Sequence, residues 1–90
     1  MYIKHYIMYI IVYILNIGKN FILKLKNNIK RCRFDHNYLS QKDLADALGI
    51  TRQTIIAIEK GKFNPSTMLA LRLAKFFNTN VENIFYLDDE

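Results

Sequence analysis

From Asn28 onward, apolar positions recur at helical spacing, and short polar interruptions divide the pattern into five segments. The first runs from about Asn28 to His36, with Ile29, Cys32 and Arg33 turned inward, until Asn37 and Tyr38 interrupt it. Ser40 has the side-chain oxygen that an N-cap needs, and Asp43 lies three residues on, where a capping-box acid belongs. This second helix ends at Gly49, a residue that tolerates the left-handed conformation of a sharp exit. Thr51 caps a third helix, Arg52 to Lys60, which Gly61 stops. Asn64-Pro65-Ser66 forms a turn with a fresh cap, and a fourth helix follows to Phe77. In it Leu69, Ala70, Leu73, Ala74 and Phe77 repeat at three and four, the spacing of a core stripe, while Leu71 and Phe76 fall outside that stripe. Asn78 supplies its left-handed stop, and Asn80 caps a last short helix carrying Val81, Ile84 and Phe85. The pattern therefore predicts an all-α fold: a compact five-helix domain over residues 25–87, after a hydrophobic extension of residues 1–24 and before an acidic tail of residues 88–90.

The third helix has two faces of different chemistry. At about 100° per residue, Ile55 and Ile58 form one stripe, and the opposite face collects Arg52, Gln53, Ile56, Ala57 and Lys60. That face offers a guanidinium, an amide, an ammonium and two apolar surfaces. Arginine can donate two bonds to guanine, glutamine can pair with both edge groups of adenine, and an apolar group can pack on a thymine methyl. Thr51 and Gln53 stand at the positive end of the helix, where a phosphate is favoured. An ordinary solvated helix can carry the same charges, but an isoleucine in the middle of a polar face needs a reason.

Charge modifies this picture by its location. The 90 residues hold 13 basic and 8 acidic groups, a net charge of +5 that makes nucleic acid or an anionic membrane the first partners to consider. Residues 1–30 carry five lysines and no acid, residues 31–87 carry eight basic and five acidic groups, and Asp88, Asp89 and Glu90 remove three charges. The helical domain is nearly neutral, so its case rests on where its charges sit.

The segment QKDLADALGITRQTIIAIEKGKFNPS, continued by MLALRLAKFFNTNVENIF, resembles the helix-turn-helix of the phage repressor and Cro (XRE-type) family. The resemblance covers about residues 27–85. Gln41, Leu44, Ala45, Gly49, Arg52-Gln53-Thr54-Ile55, Ile58-Glu59, Gly61 and Asn64-Pro65-Ser66 all fall at the family's spacing. It implies a lambda-repressor-like domain whose third helix lies in the major groove of double-stranded DNA. It further implies that Gln41 binds a phosphate and braces the first turn of the reading helix. Thr51, Arg52, Gln53, Ile56 and Ala57 match positions facing bases or flanking phosphates, and Lys60, Lys62 and Asn64 match the segment that grips the backbone. Leu44, Ala45, Leu48, Ile55, Ile58, Leu69, Leu73 and Phe77 match the core. Glu59 matches an acid that pairs with a basic residue of the first helix, for which Arg33 is the natural partner and Arg31 a rival. The stretch from Arg33 to Gln41 is one residue longer than in the phage repressors. Homodimers of this family read two half-sites about one DNA turn apart, and Leu71, Phe76 and Ile84 to Leu87 are the candidate dimer contacts.

Residues 1–24 leave three readings open. A membrane anchor is one: 14 residues separate Lys4 from Lys19, about 21 Å of helix, against roughly 20 residues for a bilayer core. An accessory helix or strand is another, since Tyr2, Tyr6, Tyr9 and Tyr13 recur at helical intervals while the isoleucines suit a strand equally. The third is a start codon placed upstream of the true one, near Leu25, with the Ile, Tyr, Asn and Lys bias reflecting translated AT-rich DNA.

Catalysis finds little footing. Cys32 is the only cysteine, which excludes an internal disulfide and a cysteine-rich zinc site and fits a reducing cytoplasm. His36 lies four residues from it, but nothing nearby supplies an orienting third group. No metal-ligand spacing, paired acids or phosphate-binding glycine loop is present, so neither a cofactor nor an enzyme activity is expected. The sequence reads as a cytoplasmic, sequence-specific transcriptional regulator acting as a repressor. The rivals are an antitoxin that binds a toxin as well as DNA, and a membrane-tethered regulator.

Overall fold

A computed structural model describes residues 6–11 and 23–89. Residues 6–11 form a short helix (α1) whose side chains are all exposed. The remaining elements are β1 (Leu23–Asn27), α2 (Ile29–Asp35), α3 (Gln41–Leu48), α4 (Arg52–Glu59), α5 (Thr67–Phe76), α6 (Val81–Ile84) and β2 (Phe85–Asp89). The readings of residues 1–5 and 12–22, including the tyrosine stripe at Tyr2 and Tyr13, lie outside the described residues. No helix among the described residues is long and apolar enough to cross a membrane.

The caps explain where the helices begin. Ser40 Oγ accepts from Asp43 N–H (2.9 Å), Thr51 Oγ1 from Thr54 N–H (3.3 Å) and Ser66 Oγ from Leu69 N–H (3.1 Å). Each satisfies one of the N–H groups that a first turn leaves without a partner. Asn80 occupies the corresponding position before α6 without a side-chain cap, and it is Asn83 Nδ2 that bonds outside the helix, donating to Thr79 Oγ1 at 2.9 Å. α3, α4 and α5 end alike: a residue of positive φ (Gly49, Gly61, Asn78) is followed by an N–H that returns five residues, Ile50 to Ala45, Lys62 to Ala57 and Thr79 to Ala74. A Cβ added at Gly49 would meet nothing within 4 Å, so the need for glycine there lies in its φ of 68° alone. The long connection between α2 and α3 is absorbed by Asn37 and Tyr38, both left-handed (φ 58° and 57°).

The core draws on every helix from α2 to α6. Ile29, Leu44, Leu48, Ile55, Ile58, Leu73 and Ile84 are buried, joined by Ala45, Leu69, Ala74, Phe77 and Phe85. Burying one such large aliphatic side chain contributes roughly 1.5–3 kcal/mol, so the core stripes outweigh the helix propensities of these short segments.

The all-α expectation needs one correction. β1 and β2 pair antiparallel, with Lys24 opposite Asp88, Leu25 opposite Leu87, Lys26 opposite Tyr86 and Asn27 opposite Phe85. The segment LKLKN alternates at period two, and its Leu25 packs against the core while Lys24 and Lys26 take the other face. Phe85, expected in the last helix, opens β2 instead, and Asp88 and Asp89 belong to that strand. The pairing is locked at its base, where Asn28 N–H donates to the Ile84 carbonyl (2.7 Å) and Asn28 Nδ2 to that of Asn83 (3.2 Å). Ile84 and Phe85 are accordingly core residues, not dimer contacts as expected, whereas Leu71, Tyr86 and Leu87 are exposed and Phe76 is half-buried.

Candidate nucleic-acid interface

α4 has the two faces its sequence predicts. Ile55 and Ile58 are buried, Ile56 and Ala57 are half-buried, and Arg52, Gln53 and Lys60 are exposed. The exposed charges flank the half-buried Ile56 and Ala57 instead of surrounding a fully exposed isoleucine. Thr51, exposed at the start of the helix, is committed by its hydroxyl, which lies 2.9 Å from that of Thr54 as well as capping the helix. Lys62 and Asn64 follow in the turn after Gly61 and are exposed, beside an exposed Phe63. Thr51, Arg52 and Gln53 are thus exposed at the start of α4, and Lys60, Lys62 and Asn64 at and after its end.

α4 is held in this attitude by polar contacts at its far end. Arg33 donates from Nε to Glu59 Oε2 (2.8 Å) and from Nη2 to Oε1 (3.1 Å), a two-pronged pair with both side chains largely buried. Its Nη1 donates to the Leu39 carbonyl (2.9 Å). Arg31, the rival, instead pairs with Asp35 one turn along its own helix. Gln41, the first residue of α3, donates from Nε2 to Glu59 Oε1 at 3.2 Å. It therefore reaches the last turn of α4, not the first turn as the resemblance implied, because the acceptor it needs is the carboxylate that Arg33 already orients.

Two further supports have no sequence signal, since their partners are far away in the chain. Asn27 Nδ2 donates to the Ile58 carbonyl (3.0 Å) and to that of Glu59 (3.4 Å), while its Oδ1 accepts from Ile29 N–H (3.2 Å). One amide thereby serves the C-terminal carbonyls of α4 and the first N–H of α2, two kinds of group that helix ends leave unsatisfied. Arg72 reaches across from α5 and donates through Nη2 to the Leu48 carbonyl, placing a cation at the negative end of α3.

Cys32 and His36 do not assemble a nucleophile. The Cys32 thiol is pushed above its ordinary value by burial and, secondarily, by the Asp35 carboxylate, the reverse of what an activated thiol requires. The His36 ring meets the Phe76 and Phe77 rings, with centroids 5.8 and 5.4 Å away.

Comparison with known proteins gives a consistent picture. A family model described as helix-turn-helix matches residues 29–84, which span α2 to α6. An uncharacterized HTH-type transcriptional regulator of Methanocaldococcus jannaschii is 58% identical over 67 residues, covering 73% of this chain and 100% of the relative. One from Bacillus subtilis is 44% identical over 66 residues, covering 73% of this chain and 98% of the relative. Another, from Archaeoglobus fulgidus, is 42% identical over 66 residues, covering 73% and 92%.

Proposed function

This chain belongs to the helix-turn-helix family, and from that premise we propose that it is a transcriptional regulator that binds double-stranded DNA in a sequence-specific manner. α4 is the reading helix. Arg52 and Gln53 address base edges, Ile56 and Ala57 pack on thymine methyls, and Thr51 faces the flanking phosphate. Gln41, Lys60, Lys62 and Asn64 hold the sugar-phosphate backbone on either side. The protein acts by occupancy, excluding other proteins from its operator, and so serves as a repressor in the cytoplasm. It works as a homodimer, in which the exposed Leu71 and Leu87 provide apolar contact surface.

The observation that carries this reading is the division of α4 into a buried Ile55–Ile58 stripe and an outward face of Arg52, Gln53 and Lys60. A helix fixed on one side by the core and by the Glu59 contacts presents its other side at a defined angle, as groove reading requires. Selection from a random-sequence duplex library tests it. A recovered motif with two half-sites about one helical turn apart is expected. Recovery of no preferred sequence would overturn the regulator reading, and a single unrepeated half-site would overturn the dimer.

A further inference from the structure

A cleft of about 420 Å³ opens beside the end of α4, with Lys60, Gly61 and Asn64 on one side and Lys24, Lys26 and Tyr86 on the other. Its second wall is the two-stranded sheet. Lys24 and Lys26 lie two residues apart on β1 and so share one face, about 6.6 Å apart along the strand. Tyr86, opposite Lys26 in the register, shares that face and offers a phenolic hydroxyl. Glu59 borders the cleft too, but its carboxylate is engaged by Arg33 and Gln41. Among the described residues, Asp88 of β2 stands opposite Lys24 and faces this group. Three lysines, an asparagine and a tyrosine thus line an open polar cleft at the end of α4.

The geometry points to this cleft as a binding site for a phosphate of the DNA backbone, outside the stretch that α4 reads, with Lys24 and Lys26 of β1 adding to Lys60 and Asn64. The inference rests on the DNA-binding reading and extends its footprint from the helix-turn-helix to the sheet. It gives part of the positive charge at the start of the chain a location: β1 brings Lys24 and Lys26 to the cleft at the end of α4. Contacts of this kind orient a protein on the duplex and strengthen binding without specifying bases.

The test uses the full chain, titrated at several salt concentrations onto the duplex recovered by selection and onto one of unrelated sequence. The Lys24→Gln/Lys26→Gln double variant is expected to bind both duplexes more weakly and to lower the slope of log affinity against log salt by about 0.9 for each phosphate no longer neutralised. Its base preference should match that of the parent, and Lys24→Arg/Lys26→Arg should keep the parental slope. Lys75→Gln on α5 removes a lysine away from the cleft and should leave the slope in place. An unchanged slope in the double glutamine variant would overturn the proposal, as would an equal drop per lysine in Lys75→Gln, which would reduce the effect to net charge. A parental protein that binds no duplex in a salt-dependent manner would instead sink the DNA-binding reading itself.

Discussion

Arg33 and Glu59 face each other in parallel, Nε to Oε2 at 2.8 Å and Nη2 to Oε1 at 3.1 Å, and this pair ties α2 to the end of α4. With side chains only 15% and 10% exposed, neither charge has much recourse to water. Removing one partner leaves the other desolvated, a larger loss than the pair itself contributes. Arg33→Met should therefore lower stability by about 3 kcal/mol, read as a fall in the urea midpoint at unchanged m-value. Arg33→Met/Glu59→Leu should recover much of that loss, because no unpaired charge then remains. A double variant as unstable as the single one would contradict this account.

Asn27 carries the second support of α4. Asn27→Ala loses the bonds to the Ile58 carbonyl and from Ile29 N–H, so about 1–2 kcal/mol of stability should go with it. Asn27→Asp keeps the acceptor for Ile29 but turns a carboxylate oxygen toward the Ile58 carbonyl. Thermal unfolding should rank the parent first and both variants below it, with Asp no better than Ala at neutral pH.

Base reading and backbone gripping separate in their salt and sequence dependence. Arg52→Ala should cost about 1–3 kcal/mol on the selected operator and relax preference at one base position, with little effect on unrelated DNA. Lys62→Ala should weaken binding to every duplex and reduce the salt slope by about 0.9. Competition binding at two salt concentrations distinguishes them, and a uniform loss for Arg52→Ala would remove it from the reading set.

The Cys32 thiol should be a poor nucleophile at neutral pH. Burial and the Asp35 carboxylate both raise its pKa above the ordinary value of 9.0, so the native thiolate fraction near pH 7 is smaller than that of a free cysteine. Alkylation by iodoacetamide should be slow in the native protein and fast in urea, and the native rate should climb at a higher pH than that of a cysteine peptide. A native rate matching the peptide at pH 7 would contradict the burial. The fold favours the neutral thiol, so this group's share of stability is present below pH 9 and is lost as pH rises further.

Much of the architecture is local and could be read along the chain. Ser40, Thr51 and Ser66 cap the helices that follow them because a cap bonds to a residue three positions away, within reach of sequence inspection. The buried Ile55 and Ile58 and the exposed Arg52 and Gln53 follow from helical periodicity, which the backbone imposes whatever surrounds it. The two-stranded sheet escaped this reading. Its partners, Lys24 to Asn27 and Phe85 to Asp88, stand at opposite ends of the domain, and a four-residue alternation of leucine and lysine is too short to declare a strand alone.

Neighbours within one or two turns are enough to define α3, α4 and α5, their caps, and the face that α4 turns outward, and these could be read from the sequence alone. The tertiary structure decided how that face is held. It settled Arg33 over Arg31 as the partner of Glu59, directed Gln41 to the last turn of α4, and brought Asn27 and Arg72 to carbonyls more than twenty residues away. It also moved Ile84 and Phe85 from the expected surface into the core. The physical reason is common to all of these. An unsatisfied carbonyl or carboxylate accepts whichever donor packing brings near, and packing is fixed by the whole apolar core, not by the few residues around either partner.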